Sequence, residues 1–354
     1  MPARSQPQHR RRFDEFGFIK ELHHRFGRTG RSVTRGIGDD AAAVRLSRRL
    51  TLLITTDLLA EHIHFSLATA TFQDVGYKAA VANLSDIAAM GGTPNFVVSA
   101  IAIPPVRRQW DITEIYRGLM AACRTHGVEL VGGDTSASDR DLFLSITMIG
   151  TVSSGHVLRR EGARVGDLLY VTGTLGDSLA GLDLLGPRPT HRASLKTRRT
   201  SLLRRDIAYL TGRHLRPTPR IKEGQSLSRS RLATAAIDLS DGLSGDLVHL
   251  CEQSGVGAEI DASALPLSPA CRRYGEARGL DTTALALKGG EDYELLFTVS
   301  PKQEAAINRL MRKTGYRFSR IGTIRSRSFG RRIRAPSGAV RPLPVLSYRH
   351  FQDP

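Results

Sequence analysis

Six short segments each set an acidic residue beside Gly, Ser, Thr or Asn. They are Gly36-Ile37-Gly38-Asp39-Asp40, Thr55-Thr56-Asp57, Asn83-Leu84-Ser85-Asp86, Gly132-Gly133-Asp134-Thr135, Ile237-Asp238-Leu239-Ser240-Asp241-Gly242 and Gly289-Gly290-Glu291-Asp292-Tyr293-Glu294. Several close an apolar run that reads as a strand, which constrains the fold to one whose strand ends converge. Alone, an Asp after Gly is a turn residue or a helix cap. Carboxylates brought together repel unless a cation or protons intervene. A hard cation such as Mg²⁺ takes oxygen ligands and is commonly shared with substrate phosphates. The set therefore points to a metal-dependent enzyme acting on a phosphorylated molecule.

Between these segments, helical and extended patterns alternate. Phe13, Phe16, Ile19, Leu22 and Phe26 have near-helical spacing over residues 13–26. Leu50 to Thr56 reads as a strand ending in Asp57. Gln73 to Met90 is an Ala-rich helix stopped by Gly91-Gly92-Thr93-Pro94. Phe96 to Ile103 is a strand, Thr113 to His126 a helix, and Val128 to Val131 a short strand leading into Gly132-Gly133-Asp134. Leu142 to Ile149 and Leu168 to Thr172 are strands. Helices are expected after Gly176-Asp177, near 206–212, after Asp241-Gly242 and from Pro301 to Lys313, with a strand from Tyr293 to Val299. The class is α/β or α+β. A length of 354 residues suits two domains, which we expect at 1–155 and 156–354.

The chain carries 51 Lys+Arg against 34 Asp+Glu, a net charge of +17. Nucleic acid is the first partner that such a charge raises. The basic residues gather at Arg10–Arg12, from Arg192 to Arg205 and from Arg325 to Arg334, in what read as loops and edges with few aromatics interleaved. That spacing lacks the stacking platforms of a single-strand binder, so nucleic acid is not expected as the main partner. Cys123, Cys251 and Cys271 form no C-x-x-C pair, which fits a reducing compartment and no structural zinc. No run has the length of a membrane span, and Met1 to Arg12 has no apolar segment of a secretory signal. The cytoplasm is the expected location.

No Walker A string, complete G-x-G-x-x-G, kinase H-R-D or D-F-G set, or G-x-S-x-G elbow occurs. ATP, if used, is bound by another architecture. His62-Ile63-His64 could present two imidazoles from one strand, but no third ligand is evident.

The ordered motifs resemble the thiamine-monophosphate kinase family. Besides the six segments, the resemblance rests on Tyr77 to Gly91, Val171 to Ser178, and His214-Leu215-Arg216-Pro217-Thr218-Pro219-Arg220, and it spans about residues 13–351. Some of these strings are shared with aminoimidazole ribonucleotide synthetase and selenophosphate synthetase. The latter needs a reactive residue near its N-terminus, and the first cysteine here is Cys123. The resemblance implies a two-domain α/β (α+β) fold like aminoimidazole ribonucleotide synthetase. Its N-terminal domain would bind ATP and Mg²⁺ and pair in a homodimer, with the nucleotide near the interface. Its C-terminal α/β domain would complete the nucleotide and substrate sites.

The implied reaction is ATP plus thiamine monophosphate giving ADP plus thiamine diphosphate, assisted by several Mg²⁺ ions. Implied metal ligands are Asp40, Thr55, Thr56, Asp57, Asp86, Asp134, Asp238 and Asp241; implied ATP contacts are Tyr116, Gly133, Asp134, Arg160 and Ser240. Implied substrate contacts are His64, Glu291 and Tyr348. The acceptor is a phosphate monoester whose second pKa is about 6, so at neutral pH it is already a nucleophile. No general base or covalent nucleophile is expected, and catalysis reduces to positioning and electrostatics. The rival readings are a sister enzyme of the aminoimidazole ribonucleotide synthetase type and a basic nucleic-acid-binding protein.

Overall fold

The structure, a computed structural model, describes residues 14–27, 30–186, 202–348 and 350. Its first half runs α1 (Glu15–Phe26), β1 (Val33–Arg35), β2 (Ala42–Arg45), β3 (Leu50–Ala60), α2 (Phe72–Ala89), β4 (Thr93–Ile103), α3 (Gln109–Thr125), β5 (Glu129–Ala137) and β6 (Phe143–Ser153). The second half runs β7 (Leu168–Thr172), α4 (Asp177–Leu185), α5 (Arg204–Leu215), α6 (Ile221–Ser230), β8 (Ala233–Asp238), α7 (Leu243–Ser254) and β9 (Gly257–Asp261). It continues with α8 (Pro269–Arg278), α9 (Thr282–Lys288), β10 (Leu295–Val299), α10 (Glu304–Thr314), β11 (Phe318–Arg325), β12 (Arg331–Arg334) and β13 (Val340–Pro342).

Helix α2 organises the molecule. Its start is a capping box: Asp74 N–H donates to Thr71 Oγ1 at 3.2 Å, and Thr71 N–H donates to Asp74 Oδ2 at 3.1 Å. Gly91, at φ +70°, turns the chain out of it. The Ala-rich sequence between is buried on nearly every side, with Lys78, Asn83 and Ser85 among the buried residues. Small residues allow the close packing: a Cβ on Gly76 would lie 1.9 Å from the Ile115 carbonyl oxygen of α3, and one on Gly224 of α6 would lie 2.1 Å from that of Ala88.

One side of α2 packs on a six-stranded sheet ordered β1-β2-β3-β6-β4-β5, antiparallel except for the β4–β5 pair. Its other side meets α5, α6 and β8 of the second half. There a seven-stranded sheet is ordered β13-β12-β9-β11-β7-β10-β8. One apolar cluster runs through both halves, joining Leu53, Leu84 and Ile146 to Tyr170 and Phe297. The mixed α/β class matches expectation.

Several boundaries differ, for reasons of pairing. Strand β3 does not stop at Asp57. It pairs with β6 along its whole length to Ala60↔Phe143, so Thr55-Thr56-Asp57 lies inside the strand. Likewise β5 does not end before Gly132-Gly133-Asp134 but continues parallel to β4 as far as Ala137. Helix α3 starts at Gln109 rather than Thr113. Arg325 and Arg334 belong to β11 and β12, where both grip the carboxylate of Glu259. Arg10–Arg12 and most of the basic stretch from Arg192 lie outside the described residues.

Period-two alternation in β3 sorts its motif. Leu53, Thr55 and Leu59 are buried on the helix side, whereas Ile54, Thr56 and Leu58 are exposed on the other. Cross-strand register extends that open face. Ile54, Ile149 and Phe96 form one row, and Leu58, Ser145, Ala100 and Asp134 another.

Candidate active site

Three carboxylates converge at the junction of the two halves. Asp40 precedes β2, Asp86 lies in the last turn of α2, and Asp238 ends β8. One oxygen from each lies within 4.8 Å of the others. Thr55 donates its hydroxyl to Asp86 Oδ2, and Ser85 donates to Asp238 Oδ2 at 2.7 Å. Asp57 adjoins the group, and its charge helps to raise the Asp86 carboxyl.

Burial is the first cause of every shift here. It pushes Asp238 up to about 8, with Asp40 adding to it, and Asp57 up to about 6. Asp86 is held well above the carboxylate range by burial and then by Asp57, Asp238 and Asp40. Asp246, which the sequence did not single out, sits beside them. Its Oδ2 accepts the backbone N–H groups of Asp241 and Gly242 at 3.3 and 3.0 Å, fixing the Asp238–Gly242 turn.

A single cation, Arg160, sits on this group among the described residues. Its Nε donates to Asp40 Oδ1 at 2.9 Å, its Nη2 adds a second bond, and its backbone N–H reaches Asp39 Oδ1 at 3.3 Å. That leaves Asp40 Oδ2 and Asp57 Oδ2 buried without a hydrogen-bond partner. Clustered oxygen donors, orphaned acceptors and carboxyls raised for want of positive charge are what a hard-cation site shows before its ion is added. The residues fit Mg²⁺.

The raised carboxyls predict a pH dependence with a definite sign. In the cation-free protein, folded Asp238 holds a proton up to about pH 8, and Asp57 and Asp39 up to about pH 6, against about 4 for an ordinary aspartate. Between those values the folded state binds more protons than the unfolded chain, so stability falls as pH rises. We expect the cation-free melting temperature to drop from pH 5 towards pH 8. Asp238→Asn should raise it at pH 8 by about 2–4 °C. A melting temperature that climbs steadily over that range, unaltered by the substitution, would show that these carboxyls ionise without cost.

The cluster opens on a cavity of about 650 Å³, walled by Asp57, His64, Lys78, Ser240, Asp241 and Glu291 among others. Glu291 and Tyr293 both have left-handed backbones, φ +60° and +51°. Such strain in non-Gly residues is held only where the surroundings over-determine it. Here the surroundings are clear. Asp292 accepts the N–H groups of Gly176 and Ser178 at the start of α4, at 2.6 and 2.9 Å. Buried Glu294 takes bonds from Thr172, Arg213 and Arg220. The His214–Arg220 segment and the Gly289–Glu294 segment are thus one ionic assembly. Tyr293, buried between Glu291 and the aspartates, has its hydroxyl pushed well up by burial and then by the charges of Glu291 and Asp57.

Sequence-assigned residues divide into three groups. Asp40, Thr55, Asp86 and Asp238 come together, with Asp57 and Arg160 adjoining. Ser240, Asp241, His64, Glu291 and Tyr348 meet at the cavity. Tyr348 is anchored by its backbone N–H to the Asp241 carbonyl at 3.1 Å, and its ring stands against His350, which stands against His64. Thr56 also lines the cavity, whereas Gly133, Asp134 and Tyr116 lie apart. Thr56 accepts a bond from Thr147 at 3.1 Å on the open face, Gly133 and Asp134 are exposed on edge strand β5, and Tyr116 is half-buried on α3.

His62 and His64 occupy a turn after β3 rather than one strand face. His64 Nδ1 accepts the Ala60 N–H at 3.0 Å, and His62 Nε2 lies 3.8 Å from Asp141. Lys78, Ser85, His214, Asp246 and Tyr293 had no assigned role. The signal for Lys78 and Ser85 was their place inside the Tyr77–Gly91 string. Asp246 offered none.

Known proteins resemble the chain over nearly its whole length. The model of the AIR synthase related protein N-terminal domain matches residues 38–152, and that of the C-terminal domain matches 164–333. A thiamine-monophosphate kinase of Salmonella typhimurium is 41% identical over 342 residues, covering 96% of this chain and 99% of that one. The solved complex "AaThiL complexed with AMPPCP and TMP" has TM-score 0.78 and 32% identity, covering 95% of this chain and 97% of the other. The thiamine-monophosphate kinase structure from Stenotrophomonas maltophilia K279a has TM-score 0.70 and 34% identity, covering 91% and 96%.

Proposed function

The chain belongs to the thiamine-monophosphate kinase family, and we propose that it transfers the γ-phosphoryl group of ATP directly, in line, onto the phosphate of thiamine monophosphate. The observation that carries this reading is the meeting of the aspartate cluster with the 650 Å³ cavity at Asp57 and Asp241. It supports a site for phosphate charge beside a pocket of the size small-molecule ligands occupy.

Both substrates are anions, so repulsion between them is the first barrier. Asp40, Asp57, Asp86 and Asp238 would hold Mg²⁺, with Asp241 at the cavity side. Bound there, Mg²⁺ supplies charge neutralisation and alignment of the two phosphates. Arg160 would turn from Asp40 towards the nucleotide phosphates, where its planar fork suits their oxygens. The acceptor needs no base, because its monoester is dianionic above about pH 6. Glu291, His64 and Tyr348 would hold the thiamine end, with Ser240 and Tyr116 assigned to the nucleotide.

We further propose a homodimer formed on the open face of the six-stranded sheet. That face exposes Ile54, Leu58 and Phe96, and its edge strand exposes Leu130 and Val131. Asp134 shares a row with Leu58 on the same face. Pairing through this face would bring Gly133 and Asp134 into a nucleotide site at the interface. The division into a 1–155 nucleotide and dimerisation domain and a 156–354 domain belongs to the same proposal.

A substrate panel tests the function. With ATP and Mg²⁺, thiamine monophosphate should be converted and aminoimidazole precursors left untouched. Folded protein that converts the aminoimidazole precursor, or neither, would overturn the reading. The nucleic-acid reading predicts salt-sensitive binding that survives loss of the aspartates.

A further inference from the structure

Lys78 is a buried cation pointing from α2, in the first half of the chain, into the second. Its Nζ donates to Glu291 Oε2 at 2.8 Å and lies 3.3 Å from His214 Nε2. An ammonium has no lone pair, so His214 Nε2 must accept and the imidazole proton sits on Nδ1. That Nδ1 is 3.4 Å from the same Glu291 Oε2 and 3.1 Å from the hydroxyl of buried Ser178. His214 stays neutral: burial, then the Lys78 charge, lowers it to about 4. Burial alone would raise Glu291, yet the Lys78 ammonium brings it below its ordinary value. Every described contact of the Glu291 carboxylate thus falls on Oε2. Oε1 has no partner among the described residues, and Glu291 walls the cavity.

We propose that Lys78 is a positioning residue for the acceptor, occupying Glu291 Oε2 together with His214 so that Oε1 is presented to an exocyclic amino group on the substrate's aminopyrimidine. The inference rests on the thiamine monophosphate reading above, which supplies such a group. Three features make the arrangement specific. The carboxylate stands on a left-handed residue, so its direction is set by the backbone and by Oε2 rather than by rotamer choice alone. Ser178 and the His214 tautomer fix the second contact. The pair also crosses between the halves of the chain, so the pocket is complete only when α2 and the Gly289–Glu294 loop are docked. A site built to receive an N–H rejects an analogue that lacks it, because its acceptor is left unpaired.

The test compares thiamine monophosphate with its analogue bearing oxygen in place of the exocyclic amino group, in wild type, Lys78→Met and Lys78→Arg. Wild type should prefer the amino substrate by at least about a hundredfold in kcat/KM. Lys78→Met should raise KM for thiamine monophosphate by about thirtyfold or more. It should also shrink the preference to a few-fold and change KM for ATP by less than about threefold. Lys78→Arg, which keeps the charge, should restore part of the preference.

If Lys78→Met folds poorly, Ser178→Ala, which loosens His214 without touching the ion pair, should lower the preference by a smaller factor. Full preference retained in a folded Lys78→Met would overturn the inference. So would KM rising equally for ATP and acceptor. Failure of wild type to convert thiamine monophosphate at all would instead overturn the functional reading on which it rests.

Discussion

Asp86→Asn is expected to cut the rate of thiamine diphosphate formation by about a thousandfold or more, roughly 4 kcal/mol of transition-state stabilisation. Asp86 is buried among the other carboxylates of the cluster: its carboxyl feels Asp57, Asp238 and Asp40, and Thr55 fixes its Oδ2. The amide keeps the Thr55 contact but removes the charge that attracts the cation, so half-saturation should shift to much higher Mg²⁺. The fold should survive, because burial already drives this carboxyl towards its neutral form. Measurement of kcat against Mg²⁺ concentration, alongside a melting curve, separates the two effects. A folded Asp86→Asn enzyme within about tenfold of wild-type kcat would remove Asp86 from the metal site.

A charge placed on the open sheet face should act at a distance from the cluster. Exposed Ile54 and Phe96 flank half-buried Ile149 in one row. Ile54→Asp with Phe96→Asp would bury two carboxylates in the proposed interface, each uncompensated. The dimer should weaken by at least about a thousandfold in Kd, giving monomers at micromolar concentration. KM for ATP should rise with it, since Gly133 and Asp134 lie on the strand that edges that face. Sedimentation of both proteins decides the matter. A monomeric wild type, or a double variant that stays dimeric, would refute the pairing.

The fold class was legible because the periodic runs are long and their stops are strong. Gly91 ends α2 with the left-handed backbone that a glycine stop supplies. Strand length was not legible, because it is set by the partner. Nothing local tells Leu50–Thr56 that β6 will pair with it to Ala60. That matters for the site, since alternation inside the longer strand sends Thr55 to the helix side and Thr56 to the open face. A string of adjacent candidates conceals which of them share a side.

That Asp40, Asp57, Asp86 and Asp238 belong near one another was legible because acid beside small residues recurs too often for turns alone, but the same pattern also picked out Asp134, which lies apart on β5. The supports of the cluster were not legible. Asp246 caps the Asp238–Gly242 turn from within α7, five residues beyond Asp241, with no motif of its own. His214 and Glu291 are far apart in sequence, yet they meet at 3.4 Å and share Lys78, while Arg213 and Arg220 tie the same two segments together at Glu294. Such contacts arise from packing, which a linear reading does not contain.

Direct transfer between two bound phosphates can be followed in a single turnover with γ-labelled ATP. Enzyme in excess over ATP, with Mg²⁺ and thiamine monophosphate, should move the label into thiamine diphosphate. No protein-bound label should appear at any time, and a chiral γ-phosphate should invert. The rate should fall below about pH 6 as the acceptor becomes monoanionic. Label that first appears on the protein and then chases into product, with net retention at phosphorus, would contradict the account.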